Sequence, residues 1–320
     1  MKKIAVIIPV YYNQLNLPHL FRRLVDMADK ASAYRFEFIF VDDNSGDASY
    51  SLLREFVEKE HRAVVLKLSR NFGSFEAIRA GLHYSSCDCA VMISADLQDP
   101  PELIPQLIEE WEKGNKVVMA VRQRRGDPLT VRLFARAYYL LMRRFALRDM
   151  PVGGFDFALI DRRIIDILKT IKEKNTSLMG LILWSGFQRS MVYYTRTKRE
   201  HGESMWTMTK KIKYFIDSFV AFSYAPIRLF QFLGFGLALI GFAYAVFIAI
   251  LRIIYKFPVP GLSALIIITL IIGGVQLIML GVIGEYLWRS ADDAKNRPLF
   301  IVEDTFPKKS QDNDQAGSKE

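Results

Sequence analysis

The chain has 320 residues, room for one full α/β domain and a further segment, and carries 43 Lys and Arg against 34 Asp and Glu, a formal charge of +9. Its hydrophobic fraction is 51% and its mean hydropathy is positive, more apolar residue than nucleic-acid binding calls for, so basic and greasy together point to an anionic membrane surface and to no nucleic acid. Cys87 and Cys89 sit too close for an easy disulfide and have no His or Cys partners at zinc spacing, which leaves two small buried residues at a strand edge.

In chain order, the first half alternates. Lys3–Pro9 is a short apolar run rich in β-branched residues; it meets a proline and no small-residue cleavage site follows, so it reads as the first strand and not as a signal peptide. Leu17–Ala31 has helical spacing, Phe36–Val41 is strand, Ser49–Glu60 helix and Val64–Leu68 strand. Ser74–His83 is helix, Ala90–Ser94 strand, Glu102–Lys113 helix and Val117–Val121 strand. This alternation implies a mainly parallel sheet covered on both faces. No G-x-G-x-x-G follows the first strand, so a dinucleotide fold has no support.

The strand ends carry polar groups instead: Pro9-Val10-Tyr11-Tyr12-Asn13, Asp42-Asp43-Asn44-Ser45, Ser69-Arg70-Asn71-Phe72-Gly73 and Ser94-Ala95-Asp96-Leu97-Gln98-Asp99. At the C-terminal ends of parallel strands such groups line one ligand crevice. Asp99 precedes Pro100 and Pro101, with Glu102 three residues on, the pattern of a helix N-cap with proline at the first helical position. Asp96 has no capping task, and with Gln98 it offers hard oxygen ligands to Mg²⁺ or Mn²⁺, whose shell phosphate oxygens usually complete.

After Arg122 the character changes. Leu129–Leu147 interleaves Arg132, Arg136, Arg143 and Arg144 with Leu, Phe, Tyr and Met, and is expected as a helix lying among lipid headgroups; a solvated basic helix packed on the domain is the alternative. Met205–Ala225, basic then aromatic, reads as a second interfacial helix. Residues 229–251 contain no charged side chain, and residues 261–284 repeat the pattern after a break at Tyr255–Pro260. Each run is long enough for a hydrocarbon core of roughly 30 Å, so the pair is expected as a transmembrane hairpin. Lys210, Lys211, Lys213 and Arg228 before it, and Arg289, Lys295 and Arg297 after it, outnumber Lys256 and Arg252 near the turn, which puts both termini in the cytoplasm. The division expected is a catalytic domain over 1–204, a juxtamembrane helix over 205–228, two spans over 229–288 and a polar tail over 289–320, disordered from about Glu303.

A crevice with a carboxylate metal site on a membrane anchor implies two anionic reactants, a nucleoside diphosphate and a lipid phosphate. The ordered set Pro9–Asn13, Val41–Ser45, Leu68–Gly73, Ala95–Gln98, Gly154-Phe155-Asp156-Phe157 and Arg199-Glu200-His201-Gly202-Glu203-Ser204, followed by the hairpin, resembles the family 2 glycosyltransferases of GT-A fold. Within them the chain is similar to the polyprenyl-phosphate glycosyltransferases, a group that includes dolichol-phosphate mannose synthase and the bactoprenol glucosyltransferases. The resemblance covers roughly residues 3–300 and implies a Rossmann-like α/β fold with interfacial helices and a C-terminal two-helix hairpin.

It further implies that Pro9, Tyr11, Asp42, Asp43 and Arg70 hold the nucleotide sugar, with Ser94 and Asp96 beside it, and that Asp96 and Gln98 hold Mg²⁺ or Mn²⁺. Arg122 and Arg136 fall where the acceptor phosphate is gathered, and Arg199 and Ser204 match a loop closing on the donor diphosphate. Asp156 stands where a base is usually proposed, so Asp156 and Asp96 are the catalytic candidates. Ser94 stands where the family often has an aspartate, which removes one carboxylate from the metal site. A polyprenyl phosphate is already ionised and needs no base, so catalysis is expected to rest on positioning, on arginines offsetting repulsion and on the metal at the leaving diphosphate. The resemblance favours glucose from UDP-glucose as donor and undecaprenyl phosphate as acceptor, at the inner membrane. Mannosyl or aminoarabinosyl donors, a non-catalytic scaffold and a homo-oligomer stay open.

Overall fold

A computed structural model describes residues 1–122, 139–147, 149–151, 154–195, 208–255 and 261–307. Alternating apolar residues build an eight-stranded sheet. Its strands are β1 (Lys3–Val10), β2 (Arg35–Asp42), β3 (Ala63–Leu68), β4 (Cys89–Met92), β5 (Val117–Arg122), β6 (Phe157–Asp161), β7 (Arg189–Tyr194) and β8 (Val302–Phe306). The spatial order is β7-β5-β6-β4-β1-β2-β3-β8. β4, β1, β2 and β3 form the parallel block foreseen from the alternation. β6 runs antiparallel between β4 and β5, and β8 antiparallel on β3, two pairings that sequence alternation did not anticipate.

Every strand of the parallel block has two faces to cover. In β1, Ile4, Val6, Ile8 and Val10 point into one core cluster, Ala5 and Ile7 into the other. Residues of α1 (Leu17–Lys30), α2 (Ser49–Lys59) and α4 (Ile104–Glu112) fill the first cluster. Those of α3 (Ser74–Tyr84), α5 (Arg162–Thr170) and α6 (Leu178–Trp184) fill the second. Cys87 and Cys89 are buried and free, as their spacing suggested.

The chain moves outward from β1 through β2 to β3, then crosses back to place β4 on the other side of β1. The C-terminal ends of β1 and β4 therefore diverge into a crevice at a topological switch point, the place where open α/β sheets hold ligands.

Helix α7 (Met208–Phe222) precedes two long apolar helices, α8 (Ala225–Tyr255) and α9 (Leu262–Ala294). Segments Ala225–Leu251 and Ile271–Ala294 are long and apolar enough to cross a membrane, and neither is buried in the protein. They pack on each other and join the sheet domain through a polar lock. Arg289 of α9 donates to Asp217 of α7 at 2.7 Å, to Glu285 at 2.6 Å and to the carbonyl of Asn175 at 3.0 Å. Tyr286 adds a bond to the Ser223 carbonyl at 2.9 Å. Phe222 lies over Gly180 so closely that a Cβ there would meet its ring at 2.3 Å, so α7 and α6 touch only because that position is glycine. Removing the Arg289 charge leaves Asp217 uncompensated in a largely buried joint. Arg289→Met is expected to destabilise the detergent-solubilised protein by about 3 kcal/mol, read as an earlier thermal unfolding transition. An unchanged transition would show that the joint carries no load.

Two expectations need correction. The tail is not disordered from Glu303. β8 is an ordered edge strand, with Tyr50 donating to Asp304 at 2.7 Å, Lys67 paired to Glu303 at 2.8 Å and Arg54 over the Phe306 ring at 4.5 Å. Its charged residues look like a solvated tail in sequence because their partners lie on β3 and α2, more than 230 positions away. Nor does Asp99 cap a helix. The chain turns through a 3₁₀ segment at Pro101–Leu103 whose cap position is Pro100, and Asp99 is 1% exposed beneath it.

The expected interfacial helix over 129–147 is described only as a helical segment over residues 139–145, where Leu140, Arg143, Arg144 and Phe145 are exposed and Met142 is buried. Its remainder, with Arg136, lies outside the described residues. So do Arg199, Ser204 and the tail beyond residue 307.

Candidate active site

Three loops at the ends of β1, β2 and β4 share an unusual trait. Tyr12 (φ 54°), Asn44 (φ 60°) and Leu97 (φ 60°) are non-glycine residues in left-handed conformations, a strain that persists only where surrounding bonds over-determine the backbone. Here they do. Tyr11 N–H donates to the Asn13 side chain at 2.9 Å and Tyr12 N–H to Ser45 Oγ at 3.1 Å. Asn13 N–H donates to Ser49 Oγ at 3.0 Å. The first two crevice loops are thus stitched to each other.

Asp42 and Asp43 close β2 and are both buried. Asp42 accepts from the Ser45 backbone at 3.2 Å, shaping the turn. Asp43 reaches across to the next loop and accepts from Phe72 N–H at 2.7 Å and Gly73 N–H at 2.8 Å. Gly73 has φ 103°, so only glycine gives this approach without strain. Burial pushes both carboxyls above the usual carboxylate range, and these backbone donors pull against it. Arg70, exposed, lies 4.0 Å over the Phe72 ring at the rim.

Behind that loop, Glu76 sits in the first turn of α3 with its Oε2 buried and without a hydrogen bond among the described residues, and Arg79 stands 4.0 Å away. Burial lifts its carboxyl to about 7, with Asp43 adding to the lift and Arg79 opposing it. Between an unfolded value near 4.5 and about 7, the folded chain holds this proton more tightly than the unfolded chain. Its contribution is therefore complete below the unfolded value and lost as pH rises through 7. Glu76→Gln is expected to flatten the pH dependence of unfolding across that window and to stabilise the protein at pH 8. An unaltered pH profile would rule this out.

The fourth loop holds the carboxylate cluster. Asp96, 8% exposed, accepts from Ser94 Oγ at 2.6 Å and from Gln98 N–H at 3.2 Å through the same Oδ1. Ser94 also reaches Asp99 at 3.3 Å. Ser94 thereby becomes the clasp between two aspartates. Carboxylate, amide and hydroxyl oxygens in one tight turn suit a hard divalent cation. Among the described residues no cluster of three His, Cys, Asp or Glu side chains forms a metal site, so a cation here depends on oxygens from a ligand or water. The residues fit such an ion.

Sheet register brings the last group together. Arg122 ends β5 and is the register partner of Tyr194, which ends β7; Ala120 pairs with Phe157, so Asp156 enters beside Arg122 from the antiparallel strand. Arg122 Nη2 contacts Asp156 at 2.5 Å, and Tyr194 donates a hydrogen bond to Asp99. Burial works against the Arg122 charge, yet Asp156 and Asp99 outweigh it and hold the guanidinium protonated. Burial and the Asp99 charge also push the Tyr194 hydroxyl well above its ordinary range.

Pro9, Tyr11, Asp42, Asp43, Ser94, Asp96 and Gln98 thus gather at one edge of the sheet, with Arg70 at the rim and Arg122 and Asp156 beside them. Arg136, Arg199 and Ser204 lie outside the described residues. Tyr194 and the true setting of Asp99 escaped the sequence, because strand register, not spacing, brings them there.

Known proteins are similar to the chain along most of its length. Residues 5–168 match Glycosyl transferase family 2. The uncharacterized glycosyltransferase YkcC of Bacillus subtilis is 38% identical over 303 residues, 94% of each chain. The SfII prophage-derived bactoprenol glucosyl transferase of Shigella flexneri is 33% identical over 94% of this chain and 97% of its own. Among solved structures, glucosyl-3-phosphoglycerate synthase from Mycobacterium tuberculosis with Mn²⁺, UDP and phosphoglyceric acid is a distant likeness. It has a TM-score of 0.43 and 16% identity over 63% of this chain and 72% of that one. With a match over half its length and such relatives along nearly all of it, the chain belongs to glycosyl transferase family 2 and is a glycosyltransferase.

Proposed function

We propose that this enzyme transfers a hexose, glucose from UDP-glucose being the preferred donor, onto a polyprenyl phosphate such as undecaprenyl phosphate at the cytoplasmic face of the inner membrane. The name of the Shigella relative supports the acceptor class and the sugar. The observation that carries the reading is Arg122. Its side chain is 12% exposed, two opposed carboxylates hold its charge, and its Nε is buried without a hydrogen-bond partner among the described residues. An arriving phosphate dianion satisfies that donor and takes the place of Asp156, which is 61% exposed and able to swing away.

The nucleotide lies against Pro9, Tyr11, Asp42 and Asp43, with Arg70, Arg199 and Ser204 toward the diphosphate and Ser94 beside the sugar. Asp96 and Gln98 would hold Mg²⁺ or Mn²⁺, which when bound would offset charge on the departing diphosphate. The acceptor phosphate attacks the anomeric carbon in line, held by Arg122 and Arg136, and the sugar inverts in one displacement. Asp156 orients Arg122 before the acceptor arrives and needs to remove no proton, since the acceptor oxygen is already ionised.

The membrane reading draws on the same chain. Residues 1–204, completed by β8, form the catalytic unit, α7 lies in the headgroup layer, and α8 and α9 span. Since β8 returns to β3, both ends of the hairpin lie on one side, and the flanking Lys and Arg favour the cytoplasm.

The test is transfer of radiolabelled sugar from UDP-glucose, GDP-mannose and UDP-aminoarabinose into the lipid phase, with undecaprenyl phosphate and Mg²⁺, Mn²⁺ or EDTA. Label from UDP-glucose alone, abolished by EDTA, is the expected result. Label from another donor would reassign the sugar, and none from any donor would sink the reading.

A further inference from the structure

The acceptor arginine does not stand alone. Beside Arg122, Tyr194 and Asp99 form a buried pair, 6% and 1% exposed, joined by the hydrogen bond from phenol to carboxylate. Tyr194 is the register partner of Arg122 on the neighbouring strand, and the Asp99 charge favours the guanidinium. Asp99 meets Ser94 at 3.3 Å, and Ser94 meets Asp96 at 2.6 Å. From Tyr194, beside Arg122 in the sheet, a hydrogen-bonded path Tyr194–Asp99–Ser94–Asp96 therefore runs from the acceptor side of the crevice to its metal side. Its strand ends fix the spacing, and the Tyr194 ring is braced edge-on by Phe157 with centroids 6.2 Å apart.

We propose that Tyr194 and Asp99 are positioning residues for the acceptor phosphate. They hold the Arg122 fork at one angle and one height above the sheet, ready for an anion. The inference rests on Arg122 meeting that phosphate and names the residues that aim it. Asp99 supplies a fixed negative charge that no solvent screens, and Tyr194 converts it into a directional contact. A long guanidinium side chain would otherwise sample several rotamers, and the entropy of ordering it would weaken acceptor binding. Asp156, exposed, cannot serve this purpose because the acceptor displaces it.

The experiment uses the full chain in detergent micelles, with farnesyl phosphate as acceptor probe and UDP-glucose as donor probe, both titrated calorimetrically. Wild type is expected to bind both. Arg122→Gln should lose farnesyl phosphate. Tyr194→Phe keeps the ring against Phe157, and should bind farnesyl phosphate about tenfold more weakly while binding UDP-glucose normally, with the unfolding temperature lowered by the hydrogen bond that Asp99 loses; tenfold is the scale of one charge-assisted hydrogen bond. Asp99→Asn should behave as Tyr194→Phe does, and the exposed neighbour Tyr193→Phe as wild type. If Arg122→Gln loses the probe but Tyr194→Phe binds it like wild type, the positioning role is overturned and the Arg122 reading survives. If Arg122→Gln binds it unchanged, the Arg122 reading fails and the positioning role falls with it. Equal weakening of donor and acceptor in Tyr194→Phe would mark a merely structural residue, which also overturns the proposal.

Discussion

Asp96→Asn is expected to lower sugar transfer by about 10²–10³-fold, the cost of one missing charge-stabilising contact at a transition state. Asn is the informative replacement because it preserves the turn. Ser94 Oγ and Gln98 N–H both donate to Asp96 Oδ1, and an Asn oxygen accepts both. The negative charge and the second carboxylate oxygen are what it removes. Ala would release Leu97 from its left-handed backbone and mix folding with chemistry. The unfolding temperature of Asp96→Asn should therefore stay close to wild type while transfer collapses in Mg²⁺ and Mn²⁺ alike. Retention of more than a tenth of the activity would remove Asp96 from the catalytic centre. Because Ser94 replaces a carboxylate common in this family, Ser94→Asp offers a complementary arm: tighter metal dependence should follow.

Arg122→Gln carries the second large effect, on two readouts at once. Loss of the guanidinium leaves buried Asp99 with Tyr194 and Ser94 but no counter-charge, and about 3 kcal/mol of stability should go with it. Transfer should fall by about 10²-fold or more, since nothing then offsets repulsion between acceptor phosphate and donor diphosphate. Arg122→Lys restores the charge but not the planar fork, so stability should recover further than activity. Asp156→Asn is the contrast. Being exposed and ahead of the strand, it should cost little stability, and about tenfold or less in transfer if the acceptor needs no base. A collapse of Asp156→Asn to the level of Arg122→Gln would restore a proton-transfer role to that carboxylate.

Local chemistry was readable in the sequence wherever it is built from neighbours. The parallel block, its helices, the two apolar spans and the polar strand ends all follow from spacing within about fifteen residues. Asp42 and Ser45, or Asp96 and Gln98, sit in one turn and announce themselves. What stayed hidden depends on partners far along the chain. β6 was no part of the alternation, since it runs backward between strands already counted. β8 was mistaken for a polar tail because its Glu303 and Asp304 find Lys67 and Tyr50 across the sheet edge. Asp99 carries every local mark of an N-cap, yet a hydroxyl 95 positions away claims it. Tyr194 has no local signature at all.

The return of β8 to β3 also orders events during synthesis. The outer edge of β3 stays open while the ribosome makes α8 and α9, because the strand that covers it is translated after both. Until residues 302–306 have emerged, the sheet exposes unpaired backbone that invites association with other chains. A chain stopped before Val302 would keep every residue of the crevice and still lack its closing seam. Such a nascent protein should be prone to aggregation, because residues 302–306 are what cover the β3 edge.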